Sequence, residues 1–393
     1  MSDAAPDRGF AGPVVYLVAC EASADQLGVQ LMAALTAETN GCVQFTGVGG
    51  PRMTAAGLRS LFDPQELALL GIFEVLPAFR HVLSRVEETV THIQSVKPAI
   101  LVTIDSWGFT GRVHQRLART GSAIPRVRYV APQVWAWRPG RARQLARWIH
   151  HLMTLLPFEP PYFTRYGLPT TWVGHPVIGG GAGKGDGRGF RDRHAIAPET
   201  SILAVLPGSR QGEVNRLLPI FAATMALLAK RRGPFTAVIP TVPGVAAIVR
   251  AAVRTWPVPV CVVDATEIFD AFAASRAAIA ASGTVSLELA IAGVPHIVAY
   301  RVNPLSALAF RLLRRTRYVN LINILLDHMA VPELLQGDCR PENLVEALTS
   351  LLDDSAVAAR QRADFREAAA KLSPAGGSPS RLAARTVLSM IAQ

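Results

Sequence analysis

The chain has 393 residues, half of them hydrophobic, and carries 40 lysines and arginines against 29 aspartates and glutamates, for a formal charge of +11. That length exceeds what one hydrophobic core usually serves, and the apolar content excludes a disordered chain, so two folded domains are expected and the basic surplus favours an anionic partner. Cys20, Cys42, Cys261 and Cys339 are scattered without a C-x-x-C pair, which excludes a disulfide framework or a cysteine zinc site and fits a reducing compartment.

After a tail over 1–12, Val14 to Ala19 reads as a buried first strand. Leu17-Val18-Ala19-Cys20 imitates a lipoprotein cleavage site, but the apolar run before it is short and the leader carries Asp3 and Asp7. Glu21-Ala22-Ser23-Ala24-Asp25 then opens a helix, with Ser23 or Asp25 available as caps and Glu21 left without that role. A strand over Ile100 to Ile104 ends at Asp105, which either caps a helix starting near Phe109 or serves at the sheet rim as a general base. A further strand is expected at Arg128 to Val130. Next, Val134-Trp135-Ala136-Trp137-Arg138 lies beside Arg141, Arg143 and Arg147. The cluster suits either stacking on single-stranded nucleic acid or core tryptophans beside a solvated basic helix, and no nucleic-acid signature accompanies it.

Glycine clusters with charged residues from Gly179 to Arg191, and the apolar period is lost, so a linker is placed over 179–199. Beyond it, strands are expected at Ile202 to Leu206, Phe235 to Ile239, Ala277 to Ala280 and His296 to Tyr300. Leu206-Pro207-Gly208-Ser209-Arg210 leads into a helix near Glu213, and Arg210 can fork onto a phosphate or pair with a surface acid. Ala281-Ser282-Gly283-Thr284 precedes a helix over Val285 to Ala292. Free N–H groups and hydroxyls there suit a diphosphate, with Glu288 one turn on for ribose hydroxyls, although a plain cap reads the same way. Arg311 to Arg317, behind Leu305 to Phe310, has the spacing of a basic amphipathic helix suited to an anionic membrane or simply to solvent. No apolar segment approaches the roughly 20 uninterrupted residues of a bilayer span, so membrane contact is expected to be peripheral.

The alternation of apolar strands and helical segments predicts an α/β protein with parallel sheets. The order and wording of the loops resemble the lipid-A-disaccharide synthase family, from about Val14 to Leu348. The matching segments are Gly47 to Met53, Gly71 to Leu76, Val134 to Arg138, Leu156-Pro157-Phe158-Glu159, Val173-Gly174-His175-Pro176, Leu206 to Arg210, Ala281 to Glu288, and Tyr300-Arg301-Val302 with Pro304-Leu305. The resemblance implies a GT-B fold, two Rossmann-like domains whose parallel sheets face a central cleft, with 13–178 binding acceptor, 200–375 binding the UDP-sugar and a C-terminal helix over 376–393. It implies an inverting transfer from UDP-diacylglucosamine to lipid X, giving lipid A disaccharide phosphate and UDP, at the cytoplasmic face of the inner membrane. Asp105 then corresponds to the base and Glu21 to the first acidic loop residue. Arg210, Ser282, Gly283, Thr284, Glu288 and Asn323 correspond to the nucleotide side. No D-x-D metal motif occurs, no cofactor is called for, and a homodimer is left open.

This chain departs from the family wording at four places. Cys20 and Ala24 replace the glycines of the first loop, Gly108 replaces the second aspartate of D-A-P-D-F, and His328 replaces an arginine. The alternatives left open are transfer to another lipid or glycan acceptor, or a non-catalytic nucleotide- or lipid-binding homologue.

Overall fold

The computed structural model describes residues 12–68, 75–281, 283–303 and 316–392, with side chains undescribed at 68 and 75–79. They divide into two compact units, Met1–Pro176 with Leu372–Gln393, and Val177–Lys371.

Unit 1 is built on seven parallel strands: β1 (Val14–Ala19), β2 (Gln44–Val48), β3 (Arg59–Ser60), β4 (Ile100–Ile104), β5 (Arg126–Tyr129), β6 (His151–Thr154) and β7 (Thr170–Trp172). Their order is β3-β2-β1-β4-β5-β6-β7. Helices α1 (Ala22–Glu38), α2 (Pro51–Ala55), α3 (Val75–Val96), α4 (Trp107–Arg119) and α5 (Gly140–Leu145) connect them. β4 is buried along its whole length, and β1 at every residue after Val14, as strands covered on both faces must be. The three outer strands β2, β3 and β7 are short and partly exposed, which is why no apolar run betrayed them.

Unit 2 carries six parallel strands: β8 (Ile202–Leu206), β9 (Thr236–Thr241), β10 (Val260–Asp264), β11 (Ala277–Ala280), β12 (His296–Tyr300) and β13 (Glu333–Leu335). Their order is β10-β9-β8-β11-β12-β13. Its helices are α6 (Gly187–Arg193), α7 (Gln211–Arg232), α8 (Pro243–Val253), α9 (Ile268–Ala274), α10 (Thr284–Ile291), α11 (Leu321–Leu326), α12 (Pro341–Asp353) and α13 (Ser355–Leu372). By length and composition α7 is apolar enough to cross a membrane, with a mean hydropathy of 1.2, although its uninterrupted apolar stretch falls short of the roughly 20 residues of a span. Its Leu217, Phe221, Met225 and Leu228 instead belong to the core of unit 2. Fully burying Phe221 alone contributes about 1.5–3 kcal/mol.

Residues 179–199, read above as a linker, belong to unit 2. Asp186 caps α6 by accepting from the Gly189 amide, Phe190 is fully buried, and the Asp186 amide and Arg193 both donate to Asp270 of α9. One apolar anchor in a glycine-rich stretch leaves no period to read. At the other end the chain rejoins unit 1: α14 (Pro379–Ile391), capped by Ser378, buries Ala383, Ala384 and Val387 in the core behind β1 and β4.

In both units the strand order reverses once, between β1 and β4 and between β8 and β11. Ligands of open α/β sheets bind beyond the carboxyl ends of the strands at such switch points. The four loops singled out from the sequence are the loops leaving these four strands.

Candidate active site

At the switch point of unit 1, β1 delivers Glu21 and β4 delivers Asp105. The Ser106 hydroxyl donates to Glu21 Oε1 at 3.1 Å, tying the two loops together. Glu21 occupies the N-cap position of α1 but makes no side-chain cap bond, so its carboxylate stays on the rim. Asp25 does cap, though not its own helix: its carboxylate accepts from the Arg52 and Met53 amides at 3.1 Å each and so fixes the start of α2. Ala24 lies within α1 and is not among the positive-φ residues, so no glycine conformation is required where the family wording has one. A Cβ at Gly108 would meet nothing, so the place of the family's second aspartate is open space.

The turn after β4 is strained. Asp105 and Ser106 have φ of 51° and 47°, and Val130, just past β5, has φ 78°, a genuine outlier for a β-branched residue. Helix α4 therefore begins at Trp107, two residues before the expected start, and β5 ends at Tyr129. One side chain serves both strained turns. Arg128 is fully buried; its Nε donates to the Val130 carbonyl at 3.0 Å, its Nη1 to Thr110 Oγ1 at 2.7 Å, and its Nη2 stands 3.9 Å from Asp105 Oδ1. Thr110 Oγ1 in turn donates to the Asp105 carbonyl at 2.7 Å. Burial pulls the Arg128 guanidinium down to about 10, with the Asp105 charge acting against that fall, and it stays a cation at neutral pH. Asp105 keeps about half of its side-chain surface in solvent, so a substrate hydroxyl can reach it.

The basic aromatic segment resolves into two parts. Trp135 is core, its Nε1 donating to buried Glu159, which also accepts the Leu155 and Leu156 amides. Burial pushes the Glu159 carboxyl up to about 7 against those three donors. Trp137 is exposed, and Trp107 stacks on Trp148 with centroids 6.0 Å apart.

At the switch point of unit 2, the loop after β8 turns through Gly208 at φ 107°, where a Cβ would stand 2.7 Å from Glu213 Oε2. Arg210 precedes α7, is 80% exposed and lies 3.5 Å from Glu213, which also accepts the Tyr300 hydroxyl at 3.2 Å. The loop after β11 is pinned beside it, the Ala281 amide donating to the Leu206 carbonyl at 2.8 Å. Ser282 lies outside the described residues. Gly283, at φ 146° and ψ −164°, is in a region essentially reserved for glycine, and α10 starts at Thr284, one residue before the expected start. Gly283 and Thr284 are exposed, and Glu288 is half-buried, which raises its carboxyl.

Asn323, taken from the sequence as a nucleotide contact, is fully buried. Its amide donates to the Val331 carbonyl and to Glu333 Oε1, and its oxygen accepts the Val331 amide, all at 2.8 Å. Both of its hydrogens are engaged within unit 2, so it shapes the segment before β13 and has none free for a ligand. Glu333 also accepts the Val319 and Asn320 amides, while Asn320 donates to Ser286 Oγ, itself 2.7 Å from His296 Nε2. This polar chain supports α10 from below. None of Glu333, Asn320 and Ser286 carries a sequence signal, whereas Arg128 does: an arginine inside a strand otherwise expected to be buried. His328, in the family's arginine place, is half-exposed 3.3 Å from Asp364. Of the basic run Arg311 to Arg317, residues 311–315 lie outside the described residues, as does most of Gly71 to Leu76.

Comparison with known proteins adds to this geometry. The family model for lipid-A-disaccharide synthetase matches residues 15–385. A lipid-A-disaccharide synthase of Rhodospirillum centenum is 51% identical over 379 residues, covering 96% of this chain and 94% of its own. That of Paramagnetospirillum magneticum is 49% identical over 382 residues, covering 97% and 98%. Among solved structures, UDP-GlcNAc 2-epimerase of Neisseria meningitidis, bound to UDP-GlcNAc, aligns with a TM-score of 0.66 at 10% identity over 96% of this chain and 99% of its own. MurG of Acinetobacter baumannii aligns at 0.59 and 14% identity, with the same coverage. These structural likenesses concern the fold, which is that of GT-B glycosyltransferases and related epimerases.

Proposed function

The chain belongs to the lipid-A-disaccharide synthetase family and is a glycosyltransferase of lipid A biosynthesis; from that premise we propose that it joins UDP-diacylglucosamine to lipid X with Asp105 as the base. The observation that carries the family reading is the match over residues 15–385. The position of Asp105, at the carboxyl end of β4 and half in solvent beside a buried cation, supports the catalytic role.

In this reading Asp105 takes the proton of the acceptor hydroxyl as its oxygen attacks the anomeric carbon of the donor. The new C–O bond forms as the bond to UDP breaks, so the configuration inverts. Arg128 holds the Asp105 backbone through Thr110 and stands 3.9 Å from its carboxylate. Glu21, bonded to Ser106, orders the same turn and faces the acceptor. On the nucleotide side, the N-terminal N–H groups of α10 with Ser282, Gly283 and Thr284 hold the diphosphate. Exposed Arg210 meets the charge of departing UDP, and Glu288 accepts from ribose hydroxyls. Asn323 acts by shaping the loop. The acyl chains of both substrates and the basic charge suit work at the cytoplasmic face of the inner membrane, held peripherally.

The assay is UDP release from UDP-diacylglucosamine with lipid X. Asp105→Asn should lower kcat by roughly 100- to 10,000-fold with unchanged thermal stability, the usual range for a lost general base. Wild type and variant releasing UDP at the same rate would remove Asp105 from the chemistry.

A further inference from the structure

Around Trp107 and Trp137, unit 1 gathers more positive charge than the transfer step uses. The Arg128 and Arg141 guanidinium carbons lie 5.4 and 5.1 Å from the centre of the Trp107 ring. Arg141 also lies 5.2 Å from the Trp137 ring, and Arg138 4.6 Å from the same ring. Three guanidiniums thus share two indoles. Of the three, only Arg128 has a carboxylate within ion-pair distance among the described residues, Asp105 at 3.9 Å. Arg138 and Arg141 have none. Partial burial and then the Arg138 charge hold Arg141 below the ordinary guanidinium value. Arg138 sits in the left-handed region at φ 50°, a conformation that residues other than glycine resist.

Ring faces attract guanidiniums but neutralise no charge, whereas a phosphate offers oxygens to two forks at once. We propose that Arg138 and Arg141 form the subsite for a phosphate monoester on the acceptor, with Trp137 as the exposed wall of the site. Arg141 and the arginine that contacts Asp105 flank the same Trp107 ring. Through that shared ring the subsite adjoins the arginine that contacts the base. The inference rests on the glycosyltransferase reading and names the acceptor feature that the site selects. It also gives the basic Trp-Arg segment a role as a phosphate clamp in place of nucleic-acid stacking.

The test compares lipid X with its dephosphorylated counterpart, both in detergent, by UDP release and by calorimetric binding. Wild type should prefer the phosphorylated acceptor. The Arg138→Gln, Arg141→Gln double variant should lose roughly 100-fold in kcat/KM on lipid X, mainly through KM, and little on the dephosphorylated acceptor, since one charged hydrogen bond is worth about a factor of ten or more. Arg138→Lys should recover part of that loss. Arg143→Gln, on the same helix as Arg141, should leave the preference intact. Equal loss on both acceptors would make the cluster structural and overturn the proposal, as would an unchanged preference. A defect confined to binding of anionic vesicles would equally overturn it. Wild type that binds lipid X more tightly than its dephosphorylated counterpart, yet releases no UDP, would sink the glycosyltransferase reading and leave the phosphate subsite standing.

Discussion

At the switch point of unit 1 the backbone turns through Asp105 and Ser106, at φ 51° and 47°, while at that of unit 2 it turns through Gly208 and Gly283, at φ 107° and 146°. The unit 2 turns place backbone N–H groups, and glycine gives them room. The unit 1 turn must carry a side chain, so a left-handed conformation is imposed on residues that resist it. The strain is held by a buried arginine bonded to both neighbouring turns. A site that works through main-chain groups is thus built from permissive residues, and one that works through a carboxylate is built from restrained ones.

Among changes to the groups that hold the turns, breaking the restraint gives the largest expected effect. Arg128→Met should lower turnover roughly 100-fold, the scale of a displaced reacting group. Its stability should change by no more than about 2 kcal/mol, because relief of the buried charge offsets the lost hydrogen bonds. UDP release and urea unfolding measured on one preparation check both halves of that statement. Breaking the permissive turn should show the opposite balance. Gly283→Ala forces a Cβ into a conformation costing about 1–3 kcal/mol, and should weaken UDP binding and lower the melting temperature together.

The two units also contrast in their buried titrating groups. The Glu159 carboxyl in unit 1 keeps its proton to about 7, against 4.5 for the free group. Between those values the folded chain binds more protons than the unfolded one, so this group lowers stability as pH rises. Buried His296 in unit 2 is pulled down by burial to about 4 from 6.5, so between those values it raises stability with pH. Either slope is limited to about 1.4 kcal/mol per pH unit. Unfolding free energies from pH 4.5 to 7 should rise more steeply with pH in Glu159→Gln than in wild type, and less steeply in His296→Gln. The smallest effect is expected from Ser106→Gly, which relaxes one left-handed residue and should stabilise by at most about 1 kcal/mol. Its loss of the bond to Glu21 should appear as a modest fall in activity, read from the same assay.

The amino-acid sequence by itself determined the parallel α/β class, because fully buried central strands must be written as apolar runs. Of the seven expected strands, five have the predicted bounds, and β5 and β9 are shifted. It also singled out four loops, which leave the strands at the two reversals of strand order. The outer strands were illegible, being short and half-solvated, and residues 179–199 looked like a tether because a single Phe190 anchors them. Tertiary structure decided the rest. Only strand order shows that Glu21 reaches the turn of Asp105 and Ser106, and that the Gly208 and Gly283 loops are neighbours, since adjacency across a sheet has no signature along the chain. Only packing shows that Asn323 is consumed internally, that Arg128 serves two turns, and that two arginines beside Trp137 lack a carboxylate partner among the described residues. A side chain's partners come from distant segments, and no local pattern encodes them.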